Sequence, residues 1–516
     1  MRLFLLPTIL FPLLVAVSMA TAEEQKARRP NILLIYTDDH SPKTLGCYPE
    51  SYPWVKTPNI DALASRGIRF THCYLGSWCM PSRATILTGR YPHGIESMRM
   101  EGEYPGSVYD PKQCPFWPAE FRKHGYQTAQ IGKWHTGVDT GFGRDWDYQI
   151  VWNRPKHPKN AGNYYADQLL AFNGVEKQQT EGYSTDNYTQ WACDYIRGEH
   201  REHDTPWFLW LCYGGVHGPS HPAPRHKGAY KDGVVKAPVD IFPPRKGKPD
   251  YLNKTQAWLD GPNHTPVTGK SGEAFGDESA KQAKTLQQWV QQVNECVLSL
   301  DEGVGKVMET LKASGQLENT LVVFTADQGF AMGEHGCRSK LAPYDANYRS
   351  PLIVSMPGTL PEGKVCQQPV GGPDLVMTFH AFAGLELPWK MHGRDLTPIL
   401  RNPEADWSYP LLYEHTGHHY GSDVTKMVKE DPSHAIHDNV PWYVALRQGK
   451  YKYIRYLTAG EIEELYDLAA DPEELTNLAG RTDSAKLLAE LRAAAIAELR
   501  RTEAGFVDEL PATVAK

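Results

Sequence analysis

Beyond its first two dozen residues the chain has no apolar run approaching the ~20 residues that a membrane-spanning helix requires. It has no block of like charge longer than a few residues. With a formal net charge of -7 it therefore offers no electrostatic footprint for nucleic acid, and a polyanionic partner must be met by a local basic pocket. No pair of His or Cys residues has the spacing of a zinc site, and there is no internal repeat or low-complexity block. Nine cysteines in 516 residues do not make the dense disulfide scaffold of a small exported domain, and the odd count leaves at least one sulfur unpaired or chemically altered. What is present is a chain that is 41% hydrophobic and long enough to bury a large core.

The N-terminus stands apart. Arg2, an apolar stretch through Val17 and the small-x-small triplet Ala20, Thr21, Ala22 have the layout of a cleaved secretory signal over residues 1–22. Pro7, Pro12 and the shortness of the run weigh against the alternative, an uncleaved anchor. No cysteine follows the run to carry a lipid. The expectation is an exported protein, secreted or periplasmic, with no stable membrane span.

Four short apolar runs, 31–36, 128–131, 207–213 and 321–325, each stop at polar or Gly residues, as strands buried on both faces of a parallel sheet do. Between the last two, Leu286, Val290, Val293, Val297, Leu300, Val304, Val307 and Leu311 recur at spacings of four and three, which predicts one long amphipathic helix ending near Gly315. Helices alternating with buried strands predict an α/β fold, a large central mostly parallel sheet flanked by helices. In such folds reactive groups sit beyond the carboxyl ends of the strands. The residues there are Asp38 and Asp39, Lys133 and His135, His217, and Asp327 and Gln328, which suggests one convergent site.

The stretch 220–281, rich in Pro, Gly, Lys and His, reads as a surface excursion that shapes substrate access or as an insertion without function. A boundary over 388–403 is expected to separate a catalytic domain, 30–400, from a smaller C-terminal α+β subdomain, 405–510. That subdomain would be built from β-like runs at 442–446 and 451–457 and a helix over 484–502.

The most specific segment is CMPSRATILTG, Cys79 to Gly89. Pro81 suits the first turn of a helix, so Cys79 is expected at a helix N-terminus, where free N–H groups favour anions and activate a thiol. The segment resembles the sulfatase signature CxPSRxxxLTG of the alkaline-phosphatase superfamily at all its fixed positions. The resemblance implies that Cys79 is oxidised by a dedicated maturase to formylglycine, whose hydrate attacks sulfur. It extends from about Pro30 to the C-terminal subdomain. RPNILLIYTDDH is similar to the family's first strand and its metal-binding aspartates, implying Asp38 and Asp39 as ligands. The segment ending at Gly329 is similar to the second metal motif, implying Asp327, with Gln328 where Asn or His is more usual; the ligand set implied is Asp38, Asp39, Cys79, Asp327 and Gln328. Such an oxygen-rich shell suits a hard cation, Ca2+ first, with Mg2+ left open by spacing alone. GKWH resembles the family's GKxH element, implying that Lys133 contacts sulfate and that His135 orients or deprotonates the hydrate. His217 with Pro219 resembles its HxP element, implying the acid for the leaving oxygen. The GEHG segment at 333–336 followed by Lys340 implies a second sulfate-binding cation.

The chemistry explains the residue types. Arg83, Lys133, Lys340 and the metal would neutralise the ester's negative charge, and His217 would protonate the departing alkoxide. Two rival readings share the fold: a phosphate or phosphonate monoester hydrolase, and a catalytically silent glycan-binding homologue. Export favours a sulfated carbohydrate or another extracellular sulfate ester as substrate. Trp258 and Tyr251 would either stack on sugar rings or pack locally. His415, His418 and His419 are candidates for the border of the cleft, and at least two of them are expected at the surface.

Overall fold

The computed structural model describes residues 29–96, 99–101, 106–108, 110–153, 160, 162–176, 179–269 and 285–514. The expected signal at 1–22 and the end of the long excursion, 270–281, lie outside them.

The strand β1 (Asn31–Thr37) is buried at every position because it is covered on both faces. Leu33 and Ile35 enter one apolar layer, and Ile32, Leu34 and Tyr36 enter the other. On the first face lies the long helix predicted from spacing, Leu286–Ala313, opened by a capping box of Thr285 and Gln288. Burying one Val or Leu is worth roughly 1.5–3 kcal/mol, against about 1 kcal/mol for a cap, so packing and not capping fixes this helix.

β1 pairs in parallel with strand Thr320–Ala326 on one side and strand Trp207–Cys212 on the other. The latter pairs in parallel with Gln127–Lys133, which pairs in parallel with Tyr148–Trp152. Antiparallel strands extend this core outward: Ser350–Ser355 beside Thr320–Ala326, then Ile68–Tyr74, and at the other edge Leu170–Phe172. Among the described residues the sheet has eleven strands, mostly parallel at its centre and flanked by helices, as expected. All four apolar runs are strands in it, so their carboxyl ends open at one edge.

A second, four-stranded antiparallel sheet is made by Leu411–His415, Tyr443–Gln448, Tyr451–Tyr456 and Glu464–Asp467. One of its faces packs Leu412, Val444 and Leu446 against Leu488, Leu491 and Leu499 of helix Ala485–Arg501. The other packs Tyr413, Tyr443 and Ile454 against Trp78, Met80, Tyr344 and Tyr348. That second contact brings C-terminal side chains to the segment that begins at Cys79.

One open alternative is decided here, in favour of local packing. Trp258 and Tyr251 are buried, the indole N–H of Trp258 donating to the Cys337 carbonyl at 3.1 Å and the Tyr251 ring packing on Tyr456, so neither is presented to a sugar. The excursion is thus partly core. None of the nine cysteines is paired with another. Among the described residues no helix is long and apolar enough to cross a membrane.

Candidate active site

Each sequence-predicted group reaches one place by a local device. After β1 the chain turns at once: the Asp38 N–H donates to the Gly215 carbonyl at 3.0 Å and Asp39 takes a left-handed φ of 55°. Lys133 closes its strand directly after Gly132, whose φ is +108° and where a Cβ would lie 2.0 Å from the Cys212 carbonyl oxygen. Only glycine lets the two strands approach so closely while turning Lys133 inward. Cys79 is the first residue of helix Cys79–Thr88. The helix is tied to the strand ends through Ser82, which bonds the Tyr36 hydroxyl at 2.9 Å and donates to the Asp327 carbonyl.

Around Cys79 Sγ lie Lys340 Nζ at 3.1 Å, Asp38 Oδ1 at 3.3 Å and Gln328 Nε2 at 3.9 Å. Lys340 also donates to Asp39 Oδ1 at 2.7 Å, and Lys133 donates to Asp38 Oδ2. Arg83, with no exposed side-chain surface, donates to Asp327 Oδ2 at 3.2 Å, Asp38 Oδ2 at 3.4 Å and the Lys133 carbonyl at 2.9 Å. Burial and the charge of Asp38 push the Cys79 thiol up, but Lys133 and Lys340 outweigh them and bring it to about 7.

Oxygens of Asp38, Asp39 and Asp327 lie within 4.8 Å of one another, all three residues buried. In the protein alone this is an unstable balance. Burial together with Asp38 and Cys79 pushes the Asp327 carboxyl well up against the pull of Arg83, whereas Asp38, despite its burial, is held well down by Lys133, His217 and Arg83. A divalent cation would let all three ionise together. Gln328 fits the same shell. Its Nε2 faces Asp39 Oδ1 while the buried Oε1 has no partner, and a half-turn of the amide exchanges the two. Four oxygen donors match a hard cation, and a second converging group, Asp38 with Cys79 and His217, adjoins them.

His217 stands at the site's edge. Its Nε2 is 3.2 Å from the Tyr164 hydroxyl and 3.6 Å from Asp39 Oδ2, and its ring stacks on Tyr164 at 3.9 Å. His135 is buried with a φ of 60°, and its ring meets Trp78 edge-on at 6.4 Å. Lys133 Nζ also sits 5.0 Å over the Tyr164 ring. Tyr164 is a site residue that sequence reasoning missed, since it belongs to no motif and follows no apolar run. The expectation for the three C-terminal histidines is corrected. Only His418 is exposed; His415 is fully buried, its Nδ1 2.9 Å from Ser77 Oγ, and His419 is half-buried against Trp442.

Comparison with known proteins accords with this geometry. A family model described as Sulfatase matches residues 30–385, and one described as N-sulphoglucosamine sulphohydrolase, C-terminal, matches residues 333–502. The chain is 29% identical to an N-acetylglucosamine-6-O-sulfatase of Bacteroides thetaiotaomicron over 94% of its own length and 89% of that protein's. A solved structure described as a complex with its substrate D-glucosamine-2-N,6-O-disulfate superposes with a TM-score of 0.76 at 25% identity, covering 92% of this chain and 98% of that one. A phosphonate monoester hydrolase of Agrobacterium radiobacter shares the fold, with a TM-score of 0.65 at 22% identity over 92% of this chain and 96% of that one. Since the Sulfatase model spans well over half of the chain, the protein belongs to the sulfatase family of sulfuric ester hydrolases.

Proposed function

We propose that this sulfatase is exported and hydrolyses a sulfate ester on a carbohydrate by attack of the formylglycine hydrate derived from Cys79, with one Ca2+ held by Asp38, Asp39, Asp327 and Gln328. The observation that carries the reading is the placement of Cys79 Sγ, which stands where the hydrate oxygens would be. It lies at a helix N-terminus, 3.1 Å from the Lys340 ammonium and against a buried three-carboxylate cluster. The carbohydrate follows from the N-acetylglucosamine-6-O-sulfatase relative and the disulfated-glucosamine complex, and export from the signal-like residues 1–22.

Bound calcium would supply charge that draws the sulfate oxygens to Cys79. The hydrate of a formylglycine at position 79 would supply two hydroxyls, one as the nucleophile toward sulfur and one whose loss of a proton lets sulfate depart and the aldehyde return. Lys340 and Lys133, both beside Cys79 in the charge balance, offset the ester's negative charge as the nucleophile approaches. Arg83 acts one step back: its guanidinium spans Asp38 and Asp327 and fixes the spacing of two ligands. His217, reaching the site beside Tyr164, supplies the proton that the departing alkoxide takes up. His135, packed on Trp78, orients the hydrate.

The test is turnover of 6-sulfated N-acetylglucosamine and of a matched aryl sulfate and aryl phosphate by protein made with the maturase. Release of sulfate from the sugar, with sulfate ester favoured over phosphate ester, is expected. Preference for the phosphate ester would transfer the protein to the phosphoester reading. Glycan binding without any turnover would mark it as the silent homologue.

A further inference from the structure

A wall of rings runs from the reacting centre to the surface. Trp78, next to Cys79, meets His135 edge-on at 6.4 Å on one side and, on the other, His418 at 5.1 Å and His437 at 5.2 Å. His437 in turn contacts His418 at 4.4 Å and stacks on His415 at 5.3 Å. The wall is built, not incidental. His437 sits in a two-residue hairpin strand closed by Asp438 and Asn439, both left-handed, as a tight hairpin turn requires. Gly417, at φ +61°, presses the turn that carries His418 against it, and a Cβ there would meet Trp442 Nε1 at 2.7 Å and His437 Cβ at 3.3 Å. His415 is fixed to Ser77 from behind.

Three polar atoms of this wall, Trp78 Nε1, His415 Nε2 and His437 Nδ1, are buried and have no hydrogen-bond partner. Unpaired buried donors and acceptors carry a desolvation cost that a ligand's hydroxyl or amide groups relieve. The nitrogens do not form a second metal site, because among the described residues the groups of converging ligand atoms are only those built on Asp38. The charged groups acting on His415, His418 and His437 are Lys340, already bound to Asp39 and Cys79, and the largely exposed Asp438; Asp423 acts on His419. Burial and neighbouring imidazoles hold His415 and His437 below the ordinary imidazole value, and partial desolvation with His419 nearby does the same for His418, so that the neutral rings both donate and accept. Such a wall can pair with neutral polar groups but offers no free counter-charge to an anion.

We propose that Trp78, His437 and His418 receive the sugar ring that carries the scissile ester, and select a ring whose other substituents are uncharged over one bearing a second sulfate or a carboxylate. The inference rests on the carbohydrate reading above. A second anion placed here would be stripped of water with no free cation on this wall, among the described residues, to replace it.

The test is the ratio of kcat/KM for N-acetylglucosamine 6-sulfate to that for glucosamine-2-N,6-O-disulfate, with calcium-supplied, aldehyde-bearing enzyme. A ratio does not depend on the fraction of active protein. The wild type should favour the singly charged sugar by about tenfold or more. His418→Arg, at an exposed position, should lower that ratio by about tenfold, and His437→Arg should act in the same direction. A wild-type ratio near one or below it, or a ratio unmoved by both variants, would overturn the selection while leaving the carbohydrate reading standing. Hydrolysis of an aryl sulfate but of neither sugar would instead bring down the carbohydrate reading and the inference with it.

Discussion

His217→Asn removes an imidazole that stands between Asp39 and Tyr164 while keeping most of its volume and its exposed edge. Folding should be only modestly affected, because one ring stack and the side-chain hydrogen bonds to the Tyr164 hydroxyl and the Gly218 carbonyl, roughly 1 kcal/mol each, are lost at a partly exposed position. The catalytic cost depends on the leaving group. A sugar alkoxide is strongly basic and needs a proton as the ester bond breaks, and a positioned acid is worth about 100- to 10,000-fold there. A nitrophenolate leaves unaided, so its sulfate should lose less than about tenfold, the share owed to changed positioning. The assay is kcat/KM over a series of aryl and alkyl sulfates for both enzymes, plotted against leaving-group pKa. The variant's line should be much the steeper. Parallel lines, with equal loss on every substrate, would refute the proton-donor role and leave His217 as a positioning group for Asp39 and Tyr164.

Other outcomes follow from the same geometry. Arg83→Met leaves Asp38 and Asp327 buried without their guanidinium and should lower the unfolding free energy in chelator by about 3–5 kcal/mol, read from urea midpoints, with calcium restoring part of it. Chelation should abolish turnover, and calcium should restore it better than zinc; equal rescue by zinc would contradict a calcium site built on Asp38, Asp39, Asp327 and Gln328. Burial lowers His72 to about 3 and His335 and His437 to about 4, below an unfolded value of about 6.5. Their stabilisation is therefore complete above pH 6.5 and is lost as pH falls toward 4, each group costing about 1.4 kcal/mol per pH unit. Urea midpoints should drop between pH 7.5 and pH 5, and His72→Gln should reduce that drop.

Much of this site could be read in the sequence for a physical reason. Strands covered on both faces must be apolar throughout, so each appears as a continuous run whose end marks where the chain re-enters polar surroundings; Asp38, Lys133, His217 and Asp327 were found this way. The long helix was legible because its aliphatic residues keep to one face, although Gln291, Asn294 and Glu295 are buried beside them. Ile68–Tyr74 escaped because Arg69, Thr71 and His72 are only partly buried and interrupt its apolar pattern, and Tyr148–Trp152 because it is short and includes Gln149. Tyr164, and the meeting of Trp78 with His418 and His437, depend on which face of the C-terminal sheet packs on the larger one. Local periodicity does not carry that choice. Trp258 and Tyr251 went under in a stretch whose composition resembles a surface loop because the rest of the excursion wraps around them.

The central claim, that the reacting group is made from Cys79, is tested most directly by mass spectrometry of the peptide spanning Cys79, from active protein made with the maturase. The account predicts that the thiol has been replaced by the aldehyde, in proportion to activity. A plain cysteine in fully active enzyme would contradict it.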